Sequence, residues 1–254
     1  MYRAGAGAAS RISNLPDGAR IPYHGDMSTP NELSGPSPPA DPLALLARWI
    51  AEAGTLRVQP NPNAMVLATC DADGRPSARV VLCKDVTSEP GYLTFYTNYQ
   101  SRKGRELQAR GRAAAVFHWD ALHRQARIEG PVVKAPSHES DAYFASRPWP
   151  SRIGAWASAQ SQVTDSRAAL ERSLAAAAVR FGAPLPGSPE AEGLFTGTIP
   201  RPPHWGGYRL WAEAIELWVE GAARLHDRLL WTRRLSPSGE TFHGEPWSVR
   251  RLQP

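Results

Sequence analysis

The sequence predicts a mainly β protein with flanking helices, built around a β-barrel. Short runs rich in Val, Leu, Tyr and Phe recur at close intervals and are separated by turn residues. The helix-like segments are few and fall at the margins of those runs. The 254 residues are 42% hydrophobic and 21% charged, an ordinary balance for a globular chain long enough to bury a real core.

The elements follow in chain order. Residues 1–42 hold seven prolines and five glycines without periodicity, so an extended arm is expected over 1–38, ahead of one domain over 39–254. Asp41-Pro42 opens a helix: Leu43, Leu45, Leu46, Trp49 and Ile50 recur at helical spacing, Asp41 is the N-cap, and Gly54 ends it. Strands are expected over 64–70 and 77–84, joined by the turn Asp-Ala-Asp-Gly, and a third over 92–97. Ser101 caps a helix running to Arg110. Strands follow over 113–119 and 124–133, then a helix over 137–146 with Ser140, Tyr143 and Phe144 at turn spacing. An Ala-rich helix is expected over 164–181 and a Gly/Pro loop over 184–203. Strands over 208–211, 214–219, 229–234 and 247–252 close the chain.

Several function classes drop out. No stretch approaches the ~20 apolar residues of a membrane span, and the N-terminus lacks the apolar run of a secretory signal, so a cytoplasmic location is expected. Neither Cys70 nor Cys83 has metal-ligand spacing, and both are expected to be reduced thiols in apolar strands; no metal site is expected. GxGxxG, Walker A, HExxH and GxSxG motifs are absent. The net charge of +5 suits an anionic partner. Because the arginines are scattered beside Ser, Tyr and Gln rather than massed, forked recognition of a phosphorylated small molecule fits better than nucleic-acid binding. The nine tryptophans point to a subunit interface.

Four clusters could carry chemistry. Arg79 and Lys84 lie five apart on one strand, on opposite faces if it is regular; they are a phosphate pair or two solvated charges. Ser101-Arg102-Lys103 opens a helix, where cations oppose the dipole unless an anion is present and the free N–H groups would cradle one. Tyr143 to Ser151 offers phenol, guanidinium and hydroxyl donors around Arg147, or simply a helix C-terminus with its cation. Arg224, His226 and Arg228 alternate, which in a strand puts all three on one face; such crowding calls for an anion or a π-system opposite.

Read together, PADPL, NAMVLAT, RVVLCK, FYTN, SRKG, RQARIEG, YFASRP, IGAWAS-x-QS, WGGYRL, ELW, RLHDR and RLQP resemble, in number and order, the pyridoxine/pyridoxamine 5'-phosphate oxidase family from about Pro39 to the end. The resemblance implies an FMN-binding split β-barrel, a homodimer with FMN at the subunit interface. By position it implies FMN contacts from Arg79, Val80, Lys84, Tyr96, Thr97, Arg102, Lys103, Gln125, Gln160, Ser161, Trp218 and Arg228. Lys84, Tyr143, Arg147 and Ser151 would hold the substrate phosphate, and Arg224 and His226 would lie against the pyridine ring as the catalytic pair. Arg20-Ile-Pro-Tyr23 resembles the family's R-x-x-Y element, which closes over the substrate; Arg20 and Tyr23 would join the substrate site.

The implied reaction oxidises pyridoxine or pyridoxamine 5'-phosphate to pyridoxal 5'-phosphate, with O2 reduced to H2O2. Two departures bear on substrate identity: the family commonly has FWQG where this chain has Leu217-Trp218-Val219-Glu220-Gly221, and the loop from Gly187 to Pro203 is long. The competing readings are a relative acting on another substrate, such as a phenazine-pathway oxidase, and a non-catalytic FMN or pyridoxal phosphate binding protein.

Overall fold

A computed structural model describes residues 31–188 and 195–254. Helix α1 (Pro42–Thr55) begins where its cap dictates: the Asp41 carboxylate accepts from the Leu43 and Ala44 N–H groups. Its apolar face, with Leu43, Leu45, Leu46 and Trp49, is buried. The strands are β1 (Ala64–Cys70), β2 (Pro76–Thr87), β3 (Tyr92–Asn98), β4 (Arg112–Trp119), β5 (Arg124–Lys134), β6 (Trp205–Trp211), β7 (Ala214–Val219), β8 (Asp227–Thr232), β9 (Leu235–Ser238), β10 (Thr241–Gly244) and β11 (Ser248–Arg251). The remaining helices are α2 (Arg102–Arg110), α3 (Ser137–Ser146), α4 (Trp149–Ala157) and α5 (Arg167–Arg180).

Nine strands form one antiparallel sheet in the order β11-β8-β7-β5-β4-β1-β2-β3-β6, and β5 also pairs with β6. That last pairing closes β5-β4-β1-β2-β3-β6 into a six-stranded barrel, and β7, β8 and β11 extend from β5 as a wing. The predicted mainly β class with flanking helices and a barrel is the observed one. The barrel interior is filled by Met65, Leu67, Phe95, Phe117, Ile128 and Leu210, with Trp49 of α1 edge-on to Trp119. A second, smaller core around Phe144, Ile153, Ala177 and Trp205 joins α3, α4 and α5.

One strand serves both parts of the sheet. In β5, Arg124–Glu129 pair with β7 and Val132–Lys134 pair with β6. Gly130 lies at the change-over, where an added Cβ would stand 1.9 Å from the Trp211 carbonyl oxygen. Only glycine permits this approach of two backbones.

Several sequence expectations need correction. The 143–151 segment does not stop at one helix: Pro148 and Pro150 start α4, since proline is tolerated in a first turn where no intrahelical N–H is required. Helix α5 begins at Arg167 rather than 164, because Ser166 caps it through the Ala169 N–H. The region after β8 contains a hairpin, β9–β10, turning at Gly239 (φ +61°). Strand β2 is irregular: its register against β3 shifts between Cys83 and Asp85, so Lys84 sits at a bulge. Arg224 and His226 do not lie on a strand, since β8 starts only at Asp227. The last residues of the segment read as an arm belong to the folded domain: Leu33 is buried, and Asn31 donates to the Asp227 carboxylate of the wing at 2.7 Å.

Gly130→Ala should force β5 away from Trp211 and open the barrel closure. A loss of about 1–3 kcal/mol or more, typical of an overpacked core, is expected in denaturant unfolding at equilibrium.

Candidate functional site

The predicted site residues fall into two groups. The first surrounds the start of α2 and the aromatic ends of β3 and β6. Ser101 caps α2 through the Gly104 N–H at 3.2 Å, as its sequence predicts. This turns Lys103 inward, where its side chain is 8% exposed. Lys103 Nζ donates to Gln160 Oε1 at 2.9 Å, Thr97 Oγ1 at 3.2 Å and Ser101 Oγ at 3.4 Å. All three acceptors are neutral, and burial lowers the lysine pKa. A buried ammonium held only by neutral oxygens is short of negative charge. Four predicted residues or their neighbours therefore converge on one anion-seeking point beside a helix N-terminus.

Arg102 and Arg79 meet a partner that the sequence reading missed. Glu106, on α2, has a side chain only 4% exposed and accepts from Arg102 Nε at 2.8 Å, Ser77 Oγ at 2.7 Å and Arg79 Nη2 at 3.2 Å, and also from Thr69 Oγ1. Burial opposes its ionisation, but the hydrogen bonds from Thr69, Ser77, Arg102 and Arg79 prevail and hold it at about 2. The i,i+4 spacing of Arg102 and Glu106 was the available signal. It also answers the dipole conflict at this helix start, since the first-turn cation has a carboxylate one turn on.

Next to this lies an aromatic stack. The rings of Tyr96 and Tyr143 are 3.9 Å apart at 19°, and Trp205 lies 5.6 Å from Tyr96 at 13°. Two cations border the stack: Lys84 Nζ is 5.9 Å from the Tyr143 ring centre, and the Arg147 guanidinium is 4.7 Å from that of Trp205. Arg147 Nη1 is buried without a hydrogen-bond partner, as is Arg152 Nε on the neighbouring α4. Desolvation lowers the Arg147 pKa. Leaving such donors unmade is costly, so they await an acceptor. Ser151 is exposed in the first turn of α4. Trp205 went unrecognised as a site residue because nothing in its local sequence places it over Arg147.

The second group lies on the sheet wing. Gln125, Trp218 and Arg228 stand side by side across β5, β7 and β8. Arg228 is bound to the buried Glu216 at 2.7 Å. The RLHDR segment begins as a tight turn in which Ala223 and Arg224 both adopt left-handed backbone (φ 53° and 63°), a conformation that costs L-residues about 1–2 kcal/mol each. The turn is closed by the Gly221 N–H donating to His226 Nδ1 at 3.2 Å, with the His226 ring 4.7 Å from Trp218. Nδ1 is therefore an acceptor, and a neutral His226 carries its proton on Nε2. A Cβ on Gly221 would lie 1.9 Å from the Leu225 carbonyl oxygen, so the turn requires glycine there.

The two groups do not meet within one chain. Among the described residues no hydrogen bond, ion pair or ring contact joins them. Across β2, β1 and β4 the outward face of the sheet is apolar. Val66 pairs with both Val80 and Val116, and Ala68 with both Ala78 and Ala114; Val80 is 64% exposed and Val66 41%. Arg20 and Tyr23 lie outside the described residues.

Comparison with known proteins assigns the family. Residues 55–181 match the family model described as pyridoxamine 5'-phosphate oxidase, and residues 205–254 match the pyridoxine 5'-phosphate oxidase C-terminal dimerisation region. The chain belongs to the pyridoxine/pyridoxamine 5'-phosphate oxidase family. It is 51% identical over 214 residues to the pyridoxine/pyridoxamine 5'-phosphate oxidase of Burkholderia lata, covering 84% of this chain and 89% of that protein. It is 48% identical, with the same coverage, to the protein of that name from Cupriavidus necator. Among solved structures, PhzG from Burkholderia lata 383 in complex with tetrahydrophenazine-1-carboxylic acid is similar with a TM-score of 0.71 at 32% identity, covering 88% of this chain and 96% of that one. Family membership makes the chain an oxidoreductase of this class, and the split-barrel fold agrees with it. No described helix is long and apolar enough to cross a membrane.

Two measurements test the site chemistry. The folded pKa of Glu106 lies below its ordinary 4.5, so its contribution to stability is complete above pH 4.5 and is lost as pH falls toward 2. The melting temperature of the native protein should therefore fall more steeply over that window than that of Glu106→Gln. In the 15N spectrum of the imidazoles, His226 should show an unprotonated Nδ1 and a protonated Nε2, and Gly221→Ala should abolish that pattern.

Proposed function

We propose that this protein is an FMN-dependent oxidase that converts pyridoxine 5'-phosphate and pyridoxamine 5'-phosphate to pyridoxal 5'-phosphate in the cytoplasm, with O2 as electron acceptor and H2O2 as product. The observation that carries the reading is the unpartnered Arg147 guanidinium, set with Lys84 and Tyr143 at the edge of an aromatic stack. A buried donor beside π-faces suits a ligand that is both anionic and planar. Ser151 would add a hydroxyl to the same phosphate.

The buried Lys103, short of negative charge, fits the phosphate of FMN, with Arg102, Thr97 and Gln160 around it. In this reading Arg79, Val80, Lys84, Tyr96 and Ser161 complete one half of the flavin site, and Gln125, Trp218 and Arg228 the other. The two halves come together if two copies pack about a twofold axis on the Val66–Val80–Val116 face, so that each supplies what the other lacks. The match of residues 205–254 to a dimerisation region supports that homodimer.

Bound FMN would supply the redox chemistry, accepting a hydride equivalent from the substrate C4' and passing two electrons to O2. The chain's own residues bind and orient. The phosphate anchor supplies binding energy remote from the reacting carbon, which fixes the ring. Arg224 and His226 face the pyridine side; with Nδ1 occupied by the Gly221 N–H, His226 offers Nε2–H as a donor to the reacting hydroxyl or amine.

A second reading is favoured by the similarity to PhzG: a family relative whose planar substrate carries a carboxylate rather than a phosphate. Aerobic turnover of the FMN-loaded protein with both B6 phosphates, following aldehyde and peroxide together, separates the two. Stoichiometric aldehyde and peroxide are expected. A flavin-loaded protein that turns over neither substrate moves the assignment to the carboxylate relative or to a non-catalytic binding protein. In the same assay Arg224→Ala should lower turnover by about tenfold or more, ~1.4 kcal/mol of barrier, with flavin content unchanged; wild-type turnover would remove Arg224 from the reaction.

A further inference from the structure

We infer that Glu106 is a positioning residue for the flavin phosphate, presenting the Arg102 fork to it. The inference rests on the reading that FMN binds at the start of α2. Both Nη groups of Arg79 are already engaged. Nη1 donates to the Leu67 carbonyl at 3.1 Å and to Thr69 Oγ1, and Nη2 to Ser77 Oγ and to Glu106. Only Nε–H is left, so Arg79 brings a single donor to the flavin site and its fork is spent within the chain. Arg102 is the opposite case. Glu106 takes its Nε at 2.8 Å, neither of its Nη groups has a hydrogen-bond partner among the described residues, and its side chain is 57% exposed. A guanidinium pinned by Nε presents its two Nη groups as a preformed fork for an anion.

The carboxylate is itself held. Thr69 and Ser77, neighbours across β1 and β2, donate to the same Oε2 that meets Arg79, leaving Oε1 for Arg102. Glu106 thus couples two strands of the barrel to the helix that carries the anion site. Three cations, Arg79, Arg102 and Lys103, against one carboxylate leave a local charge of +2, the counterpart of a phosphate dianion.

Two roles for Glu106 predict opposite signs. If it only offsets charge, neutralising it makes the site more positive and FMN binds more tightly. If it positions Arg102, the fork loses its anchor and FMN binds more weakly. The experiment is equilibrium flavin-fluorescence titration of the full chain stripped of flavin, with FMN and with riboflavin, which lacks the phosphate. Glu106→Gln should weaken FMN by about tenfold, equivalent to ~1.4 kcal/mol, while riboflavin changes by less than about twofold. In an Arg102→Ala background Glu106→Gln should cause no further loss, the non-additivity expected of residues acting through one another. Unchanged or tighter FMN binding, an equal loss for riboflavin, or additivity with Arg102→Ala would overturn the inference. Should thermal melting show Glu106→Gln unfolded, Glu106→Asp keeps the charge, draws it back by one methylene, and should show the same selective loss. A wild-type chain that binds FMN no better than riboflavin would strike at the flavin reading itself, a result separate from any behaviour of the Glu106 variants.

Discussion

The close approach of the Gly130 backbone to the Trp211 carbonyl lets a single strand belong to a closed barrel and to an open wing at once. Everything functional depends on that division. The barrel half of β5 brings β6, and with it Trp205, beside β3 and α3, which builds the stack of Tyr96, Tyr143 and Trp205. The wing half carries β7 and β8, and with them Gln125, Trp218, Arg228 and the His226 turn. A side chain at position 130 would set these two requirements against each other, because neither backbone can retreat without giving up its own ladder of hydrogen bonds.

The electrostatics of the candidate site residues follow a second rule: buried and half-buried cations are either neutralised or left waiting. Arg79 and Arg228 are neutralised, by Glu106 and Glu216 respectively, and each carboxylate is itself buried. Lys103 and Arg147 are not; their nearest polar partners are neutral oxygens or π-faces. Desolvating a charge without a counter-charge costs several kcal/mol, and a chain that did so twice within one region without using either would be needlessly unstable. The two uncompensated cations sit at the ends of the region where the proposed cofactor and substrate each bring a phosphate.

What the sequence made legible was local. Asp41 and Ser101 cap the helices their sequence predicts, because a short acceptor beside free N–H groups acts within three residues. The Asp71–Gly74 turn closes as read, with Gly74 at φ +85°. The site residues were named from a resemblance, and the residues holding them in place were not, because Glu106 draws on Thr69 and Ser77, some thirty positions away, through a strand pairing that periodicity does not reveal. The RLHDR segment misled for the reverse reason. Its alternation is that of a strand, but the glycine at 221 and the closing bond to His226 Nδ1 turn the chain before the strand can start.

That turn shows how strain and assembly are linked. Ala223 and Arg224 hold consecutive left-handed conformations, which a free loop would relax. They are retained because the turn is pinned at both ends: by Gly221 and His226 on one side, and by Asp227, held between Asn31 and Arg251, on the other. The Arg224 side chain itself is exposed and is used by no hydrogen bond within its own chain among the described residues. A costly backbone that presents an exposed guanidinium to nothing in its own protomer is poorly explained by the stability of the monomer. Under the proposed dimer it would gain a purpose, since a cation held at a fixed place beside the proposed substrate's ring would restrict that ring to one orientation.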